Sequence, residues 1–196
     1  MQKIMFNNTY GLTDSVREES KNLTRREFQF YDGSVETTLL DGYLYIYKDT
    51  EKKELLHKSR YHIGEVVAIA ESYESLNKRG YVAPEWMDHM CEDSKGYKNK
   101  MFVKPELMPD GIQITDIWGE RLQDISDEDC LAEGVLKYRC IIGFAGEYVI
   151  KVNNKPLLFH TPRQAFAALI DKMNRKGTWE RNPFAVVYCF QYVKFD

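Results

Sequence analysis

Val35-Glu36-Thr37-Thr38-Leu39-Leu40-Asp41-Gly42-Tyr43-Leu44-Tyr45-Ile46-Tyr47 reads as two extended segments joined at Asp41-Gly42. Side chains of a strand alternate between faces, so Tyr43, Tyr45 and Tyr47 share one face while Leu44 and Ile46 share the other. Asp-Gly is a pair that tolerates positive φ at both centres of a two-residue hairpin turn. This part of the chain is therefore expected to be a hairpin with one face on a core.

Working outward, further extended patterns lie at Ile4-Met5-Phe6, at Phe28 to Phe30, and at Val66-Val67-Ala68-Ile69-Ala70, an apolar run that predicts a central strand. Tyr61-His62-Ile63-Gly64-Glu65 forms the turn that feeds it, after a charged run from Asp49 to Lys58. Ile112 to Ile117 alternates at period two, and Phe184 to Phe190 is rich in β-branched and aromatic residues. Tyr148 to Val152, Asn153-Asn154 and Leu157 to Phe159 predict a second hairpin.

Helical signals are fewer. Thr13 or Asp14 can cap a polar helix running through Val16 towards Lys21. Ser126 before Asp127, Glu128 and Asp129 suits the positive end of a short helix carrying Leu131, Ala132 and Glu133. Thr161-Pro162, the spacing of Phe166, Leu169, Ile170 and Met173, and Gly177 mark a longer one. Asn77 to Lys100, with Gly80, Pro84 and Gly96, reads as a long surface insertion.

The 196 residues, 43% of them hydrophobic, suffice for one continuous core, so a single domain over 1–196 is expected. The net charge of −3 lacks the basic field that drives tight binding to long nucleic acids, so extended duplex DNA is not an expected partner. Cys91, Cys130, Cys140 and Cys189 form no C-x-x-C pair and read as reduced thiols. His57, His62, His89 and His160 are scattered, and no metal or cofactor is expected. The first residues lack an apolar stretch of signal-peptide length and nothing reaches membrane-spanning length, so the expected compartment is the cytoplasm and no membrane partner is expected.

Three blocks carry a family resemblance. Lys21-Asn22-Leu23-Thr24-Arg25-Arg26 resembles the G-x-K-x-x-[ET]-x-R signature of the ASCH domain family, with Lys21, Thr24 and Arg26 on its defining positions and Glu19 where the family has Gly. Arg60 to Val67, continuing through Glu71-Ser72-Tyr73, resembles the strand that enters such domains. Ile114 to Ser126 with Glu133-Gly134-Val135, and the terminal Trp179 to Phe184, are similar to phage-type members. The resemblance implies an α+β fold of the PUA-like kind, a mostly antiparallel β-barrel with flanking helices, here with insertions at about 77–100 and 139–158. It also implies a bacterial or prophage protein that binds RNA or a modified nucleoside.

Some family members resemble amidohydrolases that remove an acetyl group from the exocyclic amine of cytidine with a Lys, a Thr and a Glu. On that implication Thr24 is the nucleophile, Lys21 its base and Glu133 the acid/base, with Arg25 and Arg26 contacting ligand. The chemistry is coherent: a Thr hydroxyl is weak until a base takes its proton, and a desolvated Lys can serve. Arg25 and Arg26 would lower the Lys21 pKa and Glu133 would raise it. A spacing of three brings Lys21 and Thr24 together in a helix and separates them in a strand.

Glu71, at the end of an apolar strand, can orient Lys21, meet a base edge or form a rim salt bridge; Tyr73 and Trp118 can stack a nucleobase or fill a core. Four functions follow: a binding module for RNA or a nucleoside, an amidohydrolase, a nuclease, and a phage-associated interaction protein that has lost the site.

Overall fold

The computed structural model describes residues 1–28, 33–48, 54–81, 94–138 and 148–195. The fold is α+β, with most ordered residues in strands. Among the described residues the strand ladders form open sheets and close into no barrel, so the closed barrel implied by the resemblance is corrected at that point. No helix among them is long and apolar enough to cross a membrane.

The chain divides into two compact units, each assembled from separated stretches of sequence. The first comprises Met1–Phe6, Val66–Gln113 and Tyr192–Asp196. In it β1 (Gln2–Ile4) runs parallel to β6 (Val66–Ile69), and β6 runs antiparallel to the start of β7 (Asp110–Arg121). Flanked on both sides, β6 is the interior strand its apolar run predicts; Val67, Ala68 and Ile69 are all fully buried rather than alternating. Ala68 and Ala70 pack with Tyr73 and Leu76 of α2 (Tyr73–Lys78), and with Val103 and Met108. The expected 77–100 insertion is thus partly helical, through the end of α2 and through α3 (Lys95–Lys98); its His89 and Cys91 lie outside the described residues.

The second unit comprises Asn7–Glu65 and Ile114–Gln191. Here β11 (Phe184–Lys194) pairs antiparallel with β2 (Leu23–Glu27), matching Tyr188 to Thr24 and Val186 to Arg26. A second sheet orders β3 (Glu36–Leu40), β4 (Tyr43–Tyr47) and β5 (Leu55–Lys58), and a third orders β10 (Lys155–Phe159), β9 (Tyr148–Val152) and β8 (Leu136–Lys137). Asp41 and Gly42 have φ of 50° and 76°, and Asn153 and Asn154 have 50° and 62°, so both predicted hairpins turn through two positive-φ residues. Leu44 and Ile46 are buried and the three tyrosines half-buried, as the alternation requires. The charged run from Asp49 is not all linker: its last residues form β5. Gln29, Phe30, Asp49 to Lys53 and 139–147 lie outside the described residues, while 148–158 of the second expected insertion belongs to the β9–β10 hairpin.

The helices of this unit follow their caps. Ser126 accepts from Asp129 N at 3.0 Å to open α4 (Asp127–Ala132), and Thr161 accepts from Gln164 N at 3.1 Å to open α5 (Pro162–Met173). A short α6 (Thr178–Arg181) follows α5. Helix α1 (Leu12–Arg17) begins earlier than a Thr13 or Asp14 cap predicts, because Gly11 caps it with φ of 67°. It ends at Glu18, after which Glu19 adopts φ of 56°. Glu19 thus takes the left-handed conformation itself, at the position where the resembled signature carries Gly. A Cβ there costs roughly 1–2 kcal/mol, offset in part by the greater unfolded-state freedom of Gly. Glu19→Gly is expected to stabilise the protein by about 0.5–1 kcal/mol, read as a raised urea midpoint with an unchanged slope.

Candidate functional site

Lys21 sits where three pieces of backbone meet. Its own N–H donates to Ser15 O of α1 at 3.0 Å, and Asn22 N donates to Ala132 O at the end of α4 at 3.0 Å. Strand β2 starts at the next residue. Glu133 caps the C-terminal end of α4 and is followed by Gly134 with φ of 103°. A Cβ on Gly134 would stand 3.0 Å from Leu12 Cδ2 and 3.5 Å from Lys21 Cδ. Glycine takes that backbone without strain and avoids the tight contact with Leu12, while the lysine stem lies at ordinary contact distance.

The Lys21 side chain is 1% exposed and that of Glu133 4%. Lys21 Nζ donates to Leu23 O at 2.6 Å, to Glu133 O at 2.8 Å and to Glu133 Oε2 at 2.6 Å. Glu133 Oε1 accepts from Arg25 Nη1 at 3.2 Å. Arg25 also donates to Glu120 Oε1 from Nε at 2.8 Å and from Nη2 at 2.6 Å, and to Asp129 Oδ2 at 2.8 Å. Trp118 Nε1 holds the other Glu120 oxygen at 3.0 Å, and the guanidinium stands 6.0 Å from the Phe166 ring centre. Two buried cations are thus tied to three carboxylates in one network. Desolvation pushes the Lys21 pKa below its ordinary value, with Glu133 opposing and Arg26 and Arg25 adding to the fall. For Arg25 desolvation also lowers the pKa, but Glu133, Glu120 and Asp129 outweigh it and leave the value raised.

Thr24 does not join this network. The segment is a strand, so Thr24 and Arg26 point to the face opposite Leu23 and Arg25. The helical juxtaposition of Lys21 and Thr24 is therefore not formed. Across β11, Thr24 is paired with Tyr188, whose ring meets Tyr61 edge to face at 5.3 Å between centres. The Tyr188 hydroxyl accepts from Arg60 N at 3.0 Å. Thr24 and Tyr188 are both buried, and among the described residues neither hydroxyl proton has an acceptor. Arg26 is exposed by area, yet desolvation lowers its pKa, with Tyr61, Glu133 and Tyr188 opposing the fall. The guanidinium thus lies close enough to Tyr61, Glu133 and Tyr188 for their charge to act on it. The guanidinium stays charged at any physiological pH.

Glu71 and Tyr73 belong to the other unit and have partners there. Glu71 accepts from Ser75 Oγ, and from Arg79 Nη1 at 2.5 Å. Tyr73 is 3% exposed, its hydroxyl accepts from Lys104 N at 3.0 Å, and its ring fills the space above Gly96. It lacks the open face that stacking needs. Trp118 is half-buried and anchored to Glu120. No cluster of metal-ligating side chains occurs among the described residues. Glu120, Asp129, Tyr61 and Tyr188 were not indicated as site residues by the sequence; only strand register and the placement of α4 bring them in.

Two outcomes follow from this geometry. Lys21→Met takes the ammonium from Glu133 Oε2 and from the carbonyls of Leu23 and Glu133, and stability is expected to fall by roughly 3–5 kcal/mol, measured by denaturant unfolding. The Cys130 thiol is fully buried, and its pKa is pushed up to about 12 by burial first and by Asp127 second. Iodoacetamide at pH 8 is expected to leave Cys130 unmodified in the native protein and to label it after denaturation, as read by peptide mass mapping. No protein-family model, no curated protein and no solved structure matches the chain, so the geometry of Lys21, Glu133, Arg25, Thr24, Arg26 and Tyr188 is what a functional reading has to rest on.

Proposed function

We propose that this chain is a binding protein for RNA or a modified nucleoside, of the PUA-like ASCH kind, and that its ligand meets the face of β2 that carries Thr24 and Arg26. One observation carries the choice of binding over hydrolysis. A general base needs a lone pair, and Lys21 Nζ faces three acceptors at 2.6, 2.8 and 2.6 Å, the set that an ammonium with three N–H groups satisfies. Removing its proton would leave two donors for three acceptors in a buried site.

What Thr24, Tyr188 and Arg26 offer a ligand is a group of donors. Thr24 and Tyr188 supply hydroxyl protons, and Arg26 supplies charge. Such a set matches the carbonyl of a base or acyl group, or a phosphate oxygen. Lys21, Arg25 and Glu133 then act as the rigid support that fixes the start of β2. The amidohydrolase reading keeps Thr24 in contact with the acyl carbonyl but requires the Lys21 cage to open first.

Calorimetric titration with a cytidine acetylated on its exocyclic amine, beside cytidine and cytidine monophosphate, tests the reading. Binding is expected without release of acetate from pH 6 to 9. Thr24→Val and Arg26→Ala are each expected to weaken it about tenfold, the order of one lost hydrogen bond to a charged or buried partner. Steady acetate release that Lys21→Ala abolishes would replace the binding reading with the hydrolase.

A further inference from the structure

We infer that the open edge of β10 is a docking site for an extended acidic peptide, which adds to the β8–β9–β10 sheet as its next strand. These strands carry neither Thr24 nor Arg26, so the inference stands independently of the reading proposed for those residues.

The hairpin register fixes which groups face the edge. The turn at Asn153-Asn154 sets Val152 opposite Lys155, and the pairs continue in step to Tyr148 opposite Phe159. In a two-residue hairpin the pair flanking the turn exchanges hydrogen bonds, and such pairs alternate with pairs whose main-chain groups point outward. Lys155, Leu157 and Phe159 therefore turn their main-chain groups to β9, while Pro156 and Leu158 turn theirs away. Val149, opposite Leu158, correspondingly faces Leu136 of β8 on its other side. Strand β10 has no second neighbour in the sheet. Among the described residues the Leu158 N–H and the carbonyls of Pro156 and Leu158 have no hydrogen-bond partner. Pro156 takes one donor from this edge, yet Leu157 and Leu158 remain 38% and 52% exposed on its two faces. An apolar edge with a donor and acceptors to spare is a template for a further strand.

The charged residues choose among occupants. In the described part of this sheet they are Lys137, Lys151 and Lys155, all exposed, and among the described residues none of them has a carboxylate partner. Lys155 shares a face with Leu157, and Lys151 lies opposite Pro156 on the face of Leu158. Each face thus offers a leucine beside a lysine, in a chain whose net charge is −3. A second copy of the chain would crowd the same lysines of both copies onto one sheet. A nucleic acid has no row of amides to continue the ladder. A peptide with apolar side chains for the leucines and carboxylates for the lysines matches both the edge and its charge.

The test is fluorescence anisotropy of the whole chain with a fluorescein-labelled peptide of alternating valine and glutamate, about six residues long as a typical strand is. This peptide is expected to bind, and its counterpart with lysine in place of glutamate is not. Methylating alternate backbone nitrogens of the peptide is expected to abolish binding in one phase and spare it in the other, because only every second amide faces β10. Lys151→Glu combined with Lys155→Glu is expected to weaken binding about tenfold at low salt. Leu158→Pro, which removes the outward N–H, is expected to weaken it roughly two- to tenfold. Thermal unfolding shows whether each variant is folded; the charge-reversed variant and the methylated peptides decide the matter if Leu158→Pro is not. No binding of the peptide, equal binding of its lysine counterpart, or indifference to backbone methylation overturns the proposal. So does a dimer of the chain that the peptide dissociates, which assigns the edge to a second copy, and so does displacement of the peptide by an oligouridylate, which assigns it to nucleic acid.

Discussion

The Glu133 carboxylate holds two buried cations, and much of the second unit is arranged around that fact. One oxygen takes Lys21 and the other Arg25, while the main-chain carbonyl of the same residue takes a second Lys21 proton. Removing two charged side chains from water is unfavourable by several kcal/mol for each ion, and the attraction between them offsets it only with good geometry and every donor and acceptor satisfied. Here the geometry comes from secondary structure. The end of α1, the end of α4 and the start of β2 each contribute a backbone bond next to the ion pair.

This arrangement gives the segment Lys21 to Arg26 two faces with different roles. Arg25 points into the network of Glu133, Glu120 and Asp129, where its charge holds α4 and the end of β7 to β2. Thr24 and Arg26 point the other way, towards Tyr188 and Tyr61. Rigid support behind a strand and hydroxyl donors in front of it is a common way to pre-organise a binding site, because the donors lose little freedom when a ligand arrives. On the reading proposed above, the support on one face would bear directly on recognition at the other.

Local chemistry made much of the architecture legible in the sequence. Asp41-Gly42 and Asn153-Asn154 are residues that accept positive φ, so their turns could be read directly, and the alternation beside Asp41-Gly42 set which residues face the core. Ser126 and Thr161 marked helix starts because their hydroxyls satisfy the exposed N–H groups of a first turn. The apolar run of Val66 to Ile69 pointed to an interior strand since both its faces had to be covered. The strands not assigned from the sequence were β2, β5 and β8; β5 falls at the end of a charged run and its pairing depends on β4.

For the site, the sequence by itself determined the residue types of Lys21, Thr24, Arg25, Arg26 and Glu133, and the alternative that Lys21 and Thr24 part company if the segment is extended. Tertiary structure alone decided which alternative holds, and it separated Glu71 and Tyr73 into hydrogen-bonded positions of the other unit. It also joined Lys21 to Glu133 across 112 positions of sequence. The physical reason is that hydrogen-bond caging, burial and strand register depend on which distant segments meet, and no local pattern encodes the identity of a partner more than a hundred residues away. Glu19 shows the same division in one residue: the sequence marks an unusual side chain at a turn, and only the fold shows that it accepts the left-handed conformation itself.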